Sequence, residues 1–366
     1  MKIIFIITGL GIGGAERQVC DLADKFSELG HQVLLISMTG DIINRPRSSA
    51  VEIVALKMSK KIHGFIHAYF KSRKLIHKFK PDVVHSHMVH ANLFSRLLRL
   101  TTSIPRLICT AHSSNEGGAV RMLAYRLTDR LCELSTNVSQ EAVDVSIQRK
   151  AAPPHRIVAV YNGIDTERFR FNPASRLRLR NELGVSDQTP LLLAVGRLTA
   201  AKDYPNLLAA FAQLPITYTH VQLVIIGTGE EEGALKEIVH SLELTGRVHF
   251  LGLRQDVNDW MSTADVFVLS SAWEGFGLVV AEAMACERVV VATDCGGVKE
   301  VMGNFGILVA PHLHQQLADG LTTALRLTND EYIKLGKAAR LHINSNFSLS
   351  AAAGIWLKLY NQMQHK

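Results

Sequence analysis

The residues with the clearest chemical spacing are Glu274 and Glu282, eight positions apart with seven residues between them, in the run Glu274-Gly275-Phe276-Gly277-Leu278-Val279-Val280-Ala281-Glu282. The run follows an apolar stretch, DVFVLS, and reads as the opening of a helix. With Glu274 in the loop and Glu282 two turns inside, the carboxylates stand about 12 Å apart along a helix axis. The amides around Phe276, Gly277 and Leu278 then form the helix N-terminus, whose partial positive charge favours a phosphate. A ligand with hydroxyls at both ends and a diphosphate between them fits that layout. A nucleotide sugar is such a ligand: Glu282 takes the ribose and Glu274 the sugar. The plain alternative, two solvated helix glutamates, gives their apolar neighbours no purpose.

Other residues could serve the same ligand. Gly196-Arg197-Leu198 ends an apolar run, and Lys202 follows five residues after Arg197. Two cations there would neutralise a diphosphate leaving group, Arg bidentately and Lys as a point charge. Near the start, Gly9-Leu10-Gly11-Ile12-Gly13-Gly14 lets the backbone turn sharply ahead of a helix. Gly9, Gly11 and Gly14 satisfy GxGxxG, but the dinucleotide fingerprint also asks for an acid at the end of the second strand. HQVLLISM ends without one, which speaks against NAD or FAD. His85, His87 and His90 in HSHMVH have metal-like spacing but no companion Cys or acid cluster, so a strand-end location near the cleft is the expectation for His85 and His87, with ordinary polar lining of the crevice as the plain alternative. His112 ends another apolar run, RLICTAH.

These residues need a scaffold, and the hydrophobic pattern supplies one. KIIFIIT, HQVLLIS, VEIVALK, DVVHSH, RLICTAH, STNVS and RIVAV read as strands in the first half, with helices from Ala15 to about Leu29 and up to Lys80. PLLLAVG, VQLVIIG, RVHFLG, DVFVLS, RVVVATD and GILVA restart the pattern, and about three helical segments close the chain. Parallel βαβ units are the expected product: two doubly wound, Rossmann-like α/β domains facing across a cleft. The expected boundaries are 1–165, 166–345 and a closing helix over 346–366 that packs back on the first domain.

Composition narrows the class. The 366 residues are 47% hydrophobic and 20% charged, as in globular proteins, with no apolar run long enough to span a bilayer. The apolar start runs into a glycine turn, so it reads as a strand and not as a signal peptide. Cys20, Cys109, Cys132, Cys286 and Cys295 are scattered, which argues against a disulfide framework or a zinc site and fits a reducing cytoplasm. Residues 1–160 hold 22 Lys and Arg against 12 Asp and Glu, while the remainder holds 18 against 21. Between Glu52 and Asp82 there is no acid, but there are Lys57, Lys60, Lys61, Lys71, Arg73, Lys74, Lys78 and Lys80, interleaved with Phe65, Tyr69, Phe70, Ile76 and Phe79. A basic amphipathic helix of that kind suits an anionic membrane surface. Its alternative is a helix with solvated lysines and its apolar stripe in the core. No recognition motif for nucleic acid accompanies the charge.

The paired glutamates resemble those of the retaining GT-B glycosyltransferases of family 4. The resemblance extends along the chain: GGAE at Gly13–Glu16, NGID at Asn162–Asp165, GRL and KDYPNLL within Gly196–Leu208, IGTGE at Ile226–Glu230, EGFGLVVAEAMA at Glu274–Ala285 and VVATDCGG at Val290–Gly297. It implies that Arg197 and Lys202 hold the donor diphosphate, and that Gly13 and Gly14 form the phosphate-side turn. Glu274 and the Phe276–Leu278 backbone would contact sugar and phosphate, Glu282 the ribose, and His112 the donor sugar. Members usually continue with Gly, Arg and Pro after the glutamate helix, whereas this chain has Glu287, Arg288 and Val289. Gly suits a left-handed helix end better than Glu does.

The implied activity is transfer of a hexose or N-acetylhexosamine from a nucleotide diphosphate, UDP before GDP, with retention. The implied acceptor is a glycan, polyprenyl-diphosphate-linked, in bacterial surface-polysaccharide, O-antigen or capsule synthesis at the cytoplasmic face of the inner membrane. No Asp-x-Asp occurs, so no metal or other cofactor is expected; the cations and a helix dipole would stabilise the leaving group. A nucleotide-sugar epimerase and a non-catalytic nucleotide-binding protein are the alternatives.

Overall fold

The computed structural model describes residues 1–59, 61–114 and 117–362. Contacts divide the chain into two compact units, Met1–Gly163 with Leu349–Lys366, and Ile164–Ser348. The first crossing falls within the Asn-Gly turn. A Cβ on Gly163 would lie 2.8 Å from both the Leu349 Cα and the Ala352 Cβ, so the turn tolerates no side chain. The second unit runs past residue 345 because its last helix continues to Phe347.

The first unit contains β1 (Lys2–Leu10), α1 (Gly14–Glu28), β2 (Gln32–Ile42), β3 (Glu52–Ala55), α2 (Ile62–Phe79), β4 (Val83–His87), α3 (Val89–Arg99), β5 (Leu107–Thr110), α4 (Ala119–Thr128), β6 (Leu134–Asn137), α5 (Gln140–Gln148) and β7 (Ile157–Ala159). Its seven strands lie in the order β3-β2-β1-β4-β5-β6-β7, all paired in parallel. Alternation along β1 sends Ile3, Phe5 and Ile7 into one core and Ile4 and Ile6 into another. Burial on both faces explains why these strands are continuous apolar runs. β2 extends past the apolar run to Ile42, so it does carry an acid near its end, the exposed Asp41.

The second unit contains α6 (Pro173–Leu183), β8 (Leu191–Val195), α7 (Tyr204–Ala212), β9 (Gln222–Ile226), α8 (Glu232–Ser241), β10 (Val248–Phe250), α9 (Val257–Thr263), β11 (Val266–Leu269), α10 (Leu278–Ala285), β12 (Val289–Thr293), α11 (Val298–Met302), β13 (Ile307–Val309), α12 (His314–Leu325) and α13 (Asn329–Phe347). Its sheet is also parallel, in the order β10-β9-β8-β11-β12-β13. The closing α14 (Leu349–Gln362) belongs to the first unit, where Leu349, Ala353, Trp356 and Tyr360 join the core under α1.

Strand order reverses between β1 and β4 in one sheet and between β8 and β11 in the other. Such switch points leave a crevice at the strand C-terminal ends, where open α/β sheets bind ligands. The loops after β8 and β11 carry Arg197 and Glu274; the glycine turn closes β1, and β4 ends on His87.

Candidate active site

In the second unit, glycines bring four loops together in two pairs. Gly227 has φ +146°, and a Cβ there would lie 1.9 Å from the Gly196 carbonyl oxygen. One on Gly229 would come within 2.2 Å of the Leu198 carbonyl, so the IGTGE loop packs backbone to backbone on Gly196-Arg197-Leu198. Gly296, at φ +57°, does the same against the Glu274 carbonyl, where a Cβ would be 2.1 Å away. These glycines allow the close approach that fixes the loops.

The loop after β8 closes in a short 3-10 turn, Ala200–Lys202. The Ser270 hydroxyl donates to the Lys202 carbonyl at 2.7 Å, and the Ala272 amide to the Ala201 carbonyl at 2.9 Å. Lys202 Nζ is thereby aimed at Glu274 and pairs with its Oε1, which also accepts from the Ser271 hydroxyl at 2.7 Å. Their side chains are 19% and 14% exposed, so the pair is partly desolvated and open on one side. Arg197, two residues past the end of β8 on the same loop as Lys202, is exposed.

Gly277 (φ +87°) caps α10, with no side chain satisfying the first-turn amides. The Phe276 ring is buried, edge-on to Phe347, and leaves only its backbone for a ligand. The helix starts at Leu278, so Glu282 stands one turn inside it and not two. Only about 6 Å of the separation of the glutamates runs along the helix; the loop spans the rest.

In the first unit, α1 begins at Gly14 with Gly13 as an extended N-cap and no side-chain cap. His85 and His87 do not line a crevice. Both are buried and networked, as the alternation of β4 and the packing of α14 require. His85 Nδ1 is 2.7 Å from the Tyr360 hydroxyl and its Nε2 is 2.6 Å from the Thr110 hydroxyl. His87 Nδ1 is 3.0 Å from His112 Nε2, a spacing that holds one proton. His87 Nε2 is buried without a partner. A buried N–H without an acceptor is costlier than a bare lone pair. The shared proton therefore belongs to His87 Nδ1, and a neutral His112 carries its own on Nδ1. His90 is exposed, so HSHMVH does not converge. Among the described residues, no group of three or more His, Cys, Asp or Glu could hold a metal ion.

Burial holds all three networked imidazoles neutral, with His85 and His87 well below their ordinary range and His112 lowered to about 4. Unfolded histidines protonate near pH 6.5, so below that pH the unfolded chain binds more protons. Stability is thus level above about pH 7 and falls on acidification, by up to about 1.4 kcal/mol per pH unit for each histidine. Chemical denaturation between about pH 7.5 and pH 5.5 should show a falling midpoint, with a shallower fall in His112→Gln. A midpoint independent of pH would rule the network out as neutral.

Two family models cover most of the chain: Glycosyltransferase Family 4 over residues 12–168 and Glycosyl transferases group 1 over 175–342. A D-inositol 3-phosphate glycosyltransferase of Corynebacterium jeikeium is 31% identical over 77% of this chain and 72% of its own length. The chain belongs to glycosyltransferase family 4. This glycosyltransferase is also 28% identical, over 88% of its length and 90% of the relative's, to an N-acetylgalactosamine-N,N'-diacetylbacillosaminyl-diphospho-undecaprenol 4-alpha-N-acetylgalactosaminyltransferase of Campylobacter jejuni. Its fold matches Anabaena HepE, solved in complex with UDP, at a TM-score of 0.86 and 22% identity, over 99% of this chain and 100% of that one. The architecture is GT-B.

The family departure at Glu287 leaves the turn intact. This glycosyltransferase holds Glu287 at φ +61°, the left-handed conformation a glycine would take, right after α10. Arg288 anchors the turn from within: its guanidinium donates to the Ala264 and Cys286 carbonyls and lies 4.5 Å from the Phe171 ring centre. Left-handed geometry costs an L-residue about 1–2 kcal/mol, and glycine returns part of that as unfolded-state entropy. Glu287→Gly should therefore stabilise the second unit by about 0.5–1 kcal/mol, read as a higher denaturant midpoint. An unchanged or lower midpoint would show the strain to be relieved elsewhere.

Proposed function

We propose that this glycosyltransferase moves a hexose or N-acetylhexosamine from a nucleotide diphosphate sugar, UDP before GDP, to a lipid-linked glycan acceptor with retention of configuration. The observation that carries the reading is the Lys202–Glu274 pair at the β8/β11 switch point, with the exposed Arg197 on the loop of Lys202 and α10 following Glu274. Arg197, Lys202 and the amides of Gly277 and Leu278 bind the diphosphate, Glu282 the ribose, and Glu274 the sugar hydroxyls. In the first unit Gly13 and Gly14 let the chain approach a phosphate, and His112 contacts the donor sugar.

The anomeric carbon–phosphate oxygen bond breaks as the acceptor hydroxyl bonds to the same face. The departing phosphate oxygen takes the acceptor's proton. Cations and helix amides stabilise the charge that develops on the leaving group, with no metal required. HepE was solved with UDP, and the C. jejuni relative's name describes a diphospho-undecaprenol acceptor; both support these choices of substrate class. The enzyme works on the cytoplasmic side of a membrane in surface-glycan assembly, held there through Lys57 to Lys80, of which Lys60 lies outside the described residues.

Calorimetry with UDP, GDP, ADP, NAD and UDP-sugars, with and without EDTA, tests the reading. Metal-independent binding of one nucleoside diphosphate is expected, followed by sugar transfer to a lipid-linked acceptor. Binding of NAD alone would overturn it.

A further inference from the structure

Alternation along β4 sends Val83, His85 and His87 to one face, in register with Ile3, Phe5 and Ile7 of β1. That face belongs to the apolar core under α1 and α14, where an aliphatic side chain would suit either histidine position. His85 is a structural member of this core, because both of its ring nitrogens are hydrogen-bonded. His87 is not. Its ring lies 4.1 Å from that of His85 and 5.4 Å from that of Phe5, and its buried Nε2 has no partner among the described residues. Burying that atom unpaired is destabilising, and nothing in the core requires it. What the imidazole supplies is the Nδ1–H directed at His112 Nε2, 3.0 Å away. The backbone on both sides of this contact is fixed. His87 is paired with Thr110 in the register of β4 and β5, the Met88 amide donates to the Thr110 carbonyl at 3.0 Å, and the Ala111 amide donates to the Thr136 carbonyl at 2.8 Å. Met88 takes φ +75°, so the chain turns into α3 under strain directly after His87.

We propose that His87 is a positioning residue for sugar transfer, holding His112 in one tautomer and one ring orientation through its Nδ1–H. On the reading that His112 contacts the donor sugar, His87 fixes the form in which it does so. A neutral imidazole exchanges its proton between two nitrogens and turns about its Cβ–Cγ bond. A donor held against Nε2 removes both freedoms: it occupies the Nε2 lone pair, leaves the proton on Nδ1 and sets the plane of the ring. The unpartnered Nε2 of His87 gives this bond its direction. An acceptor beside that atom would draw the His87 proton to it and leave Nδ1 as a bare lone pair facing His112. With none there, the proton stays on Nδ1, and the instability of the orphaned nitrogen is the local cost of the arrangement. His87 is 1% exposed, so it acts through His112 and not on the donor itself.

His87→Leu and His87→Asn test this against a purely structural role. Leucine fills the site without a polar atom but has no donor. Asparagine keeps an amide N–H near the place of Nδ1–H but leaves a cavity. His87→Leu should therefore keep or raise the denaturant midpoint and lower kcat by about 10–100-fold, with donor KM and UDP affinity within a fewfold of the parent. His87→Asn should lower the midpoint and recover most of kcat. Rates are taken with UDP-glucose and with UDP-N-acetylgalactosamine on an undecaprenyl-diphosphate-linked glycan. A structural role predicts the reverse order, so parental kcat in the leucine variant, or kcat falling in step with the midpoint in both, would overturn the proposal. His112→Gln separates it from the reading beneath: loss there but not in His87→Leu removes His87 alone, whereas parental rates in both remove His112 from the donor. Nitrogen NMR of the imidazoles reads the tautomer without turnover, the His112 signals being those that His112→Gln lacks. The parent should show His112 protonated on Nδ1 and the leucine variant a mixture; a parent protonated on Nε2 would equally sink the proposal.

Discussion

Glu274→Gln is expected to lower sugar transfer by about 10²–10³-fold while leaving nucleoside diphosphate binding within a fewfold of the parent. The side chain keeps its size and its contact with the Ser271 hydroxyl, so the loop after β11 has no steric reason to move. What changes is charge. Lys202 loses its counter-ion in a partly desolvated place, and the sugar loses a charged acceptor, whose hydrogen bonds are roughly twice as strong as neutral ones. Donor binding rests mainly on Arg197 and the amides of Gly277 and Leu278, which the substitution does not touch. Initial rates and calorimetry on the same preparation separate the two effects. Near-parental turnover by the folded variant would remove Glu274 from the reaction. Equal losses in binding and turnover would make it a structural partner of Lys202 alone.

Much of this was legible in the sequence, and what was not has identifiable causes. Each of the thirteen apolar runs, from KIIFIIT to GILVA, is a strand, because parallel strands covered on both faces must be apolar throughout. The glycines of IGTGE and VVATDCGG sat in the motifs, but their reason appears only where a Cβ would strike the Gly196 or Glu274 carbonyl. Lys202 and Glu274 were each placed at the donor, yet their mutual pairing spans 72 residues and no local pattern encodes it. His85 was placed near the cleft because its partner Tyr360 lies 275 residues away on α14. The start of α10 was misjudged by a turn because Gly277, in a left-handed conformation, delays the helix to Leu278.

Arg197→Ala should weaken nucleoside diphosphate binding by about 10²-fold, with the loss unchanged in EDTA. Unlike Lys202, which Glu274 holds in the unliganded site, Arg197 projects from the end of β8 into solvent at the switch point. Its side chain contributes little to folding from there, so the variant's stability should match the parent's. A diphosphate carries two adjacent anionic groups, and a guanidinium can bind their oxygens through two parallel bonds where an ammonium offers a point charge. Arg197→Lys should therefore restore only part of the affinity, and UMP should be less sensitive to either change than UDP. If alanine at 197 binds UDP as the parent does, the diphosphate lies elsewhere, and the donor site must be sought away from the β8 loop. If binding falls but returns with added Mg²⁺, a metal shares the work assigned here to Arg197 and Lys202.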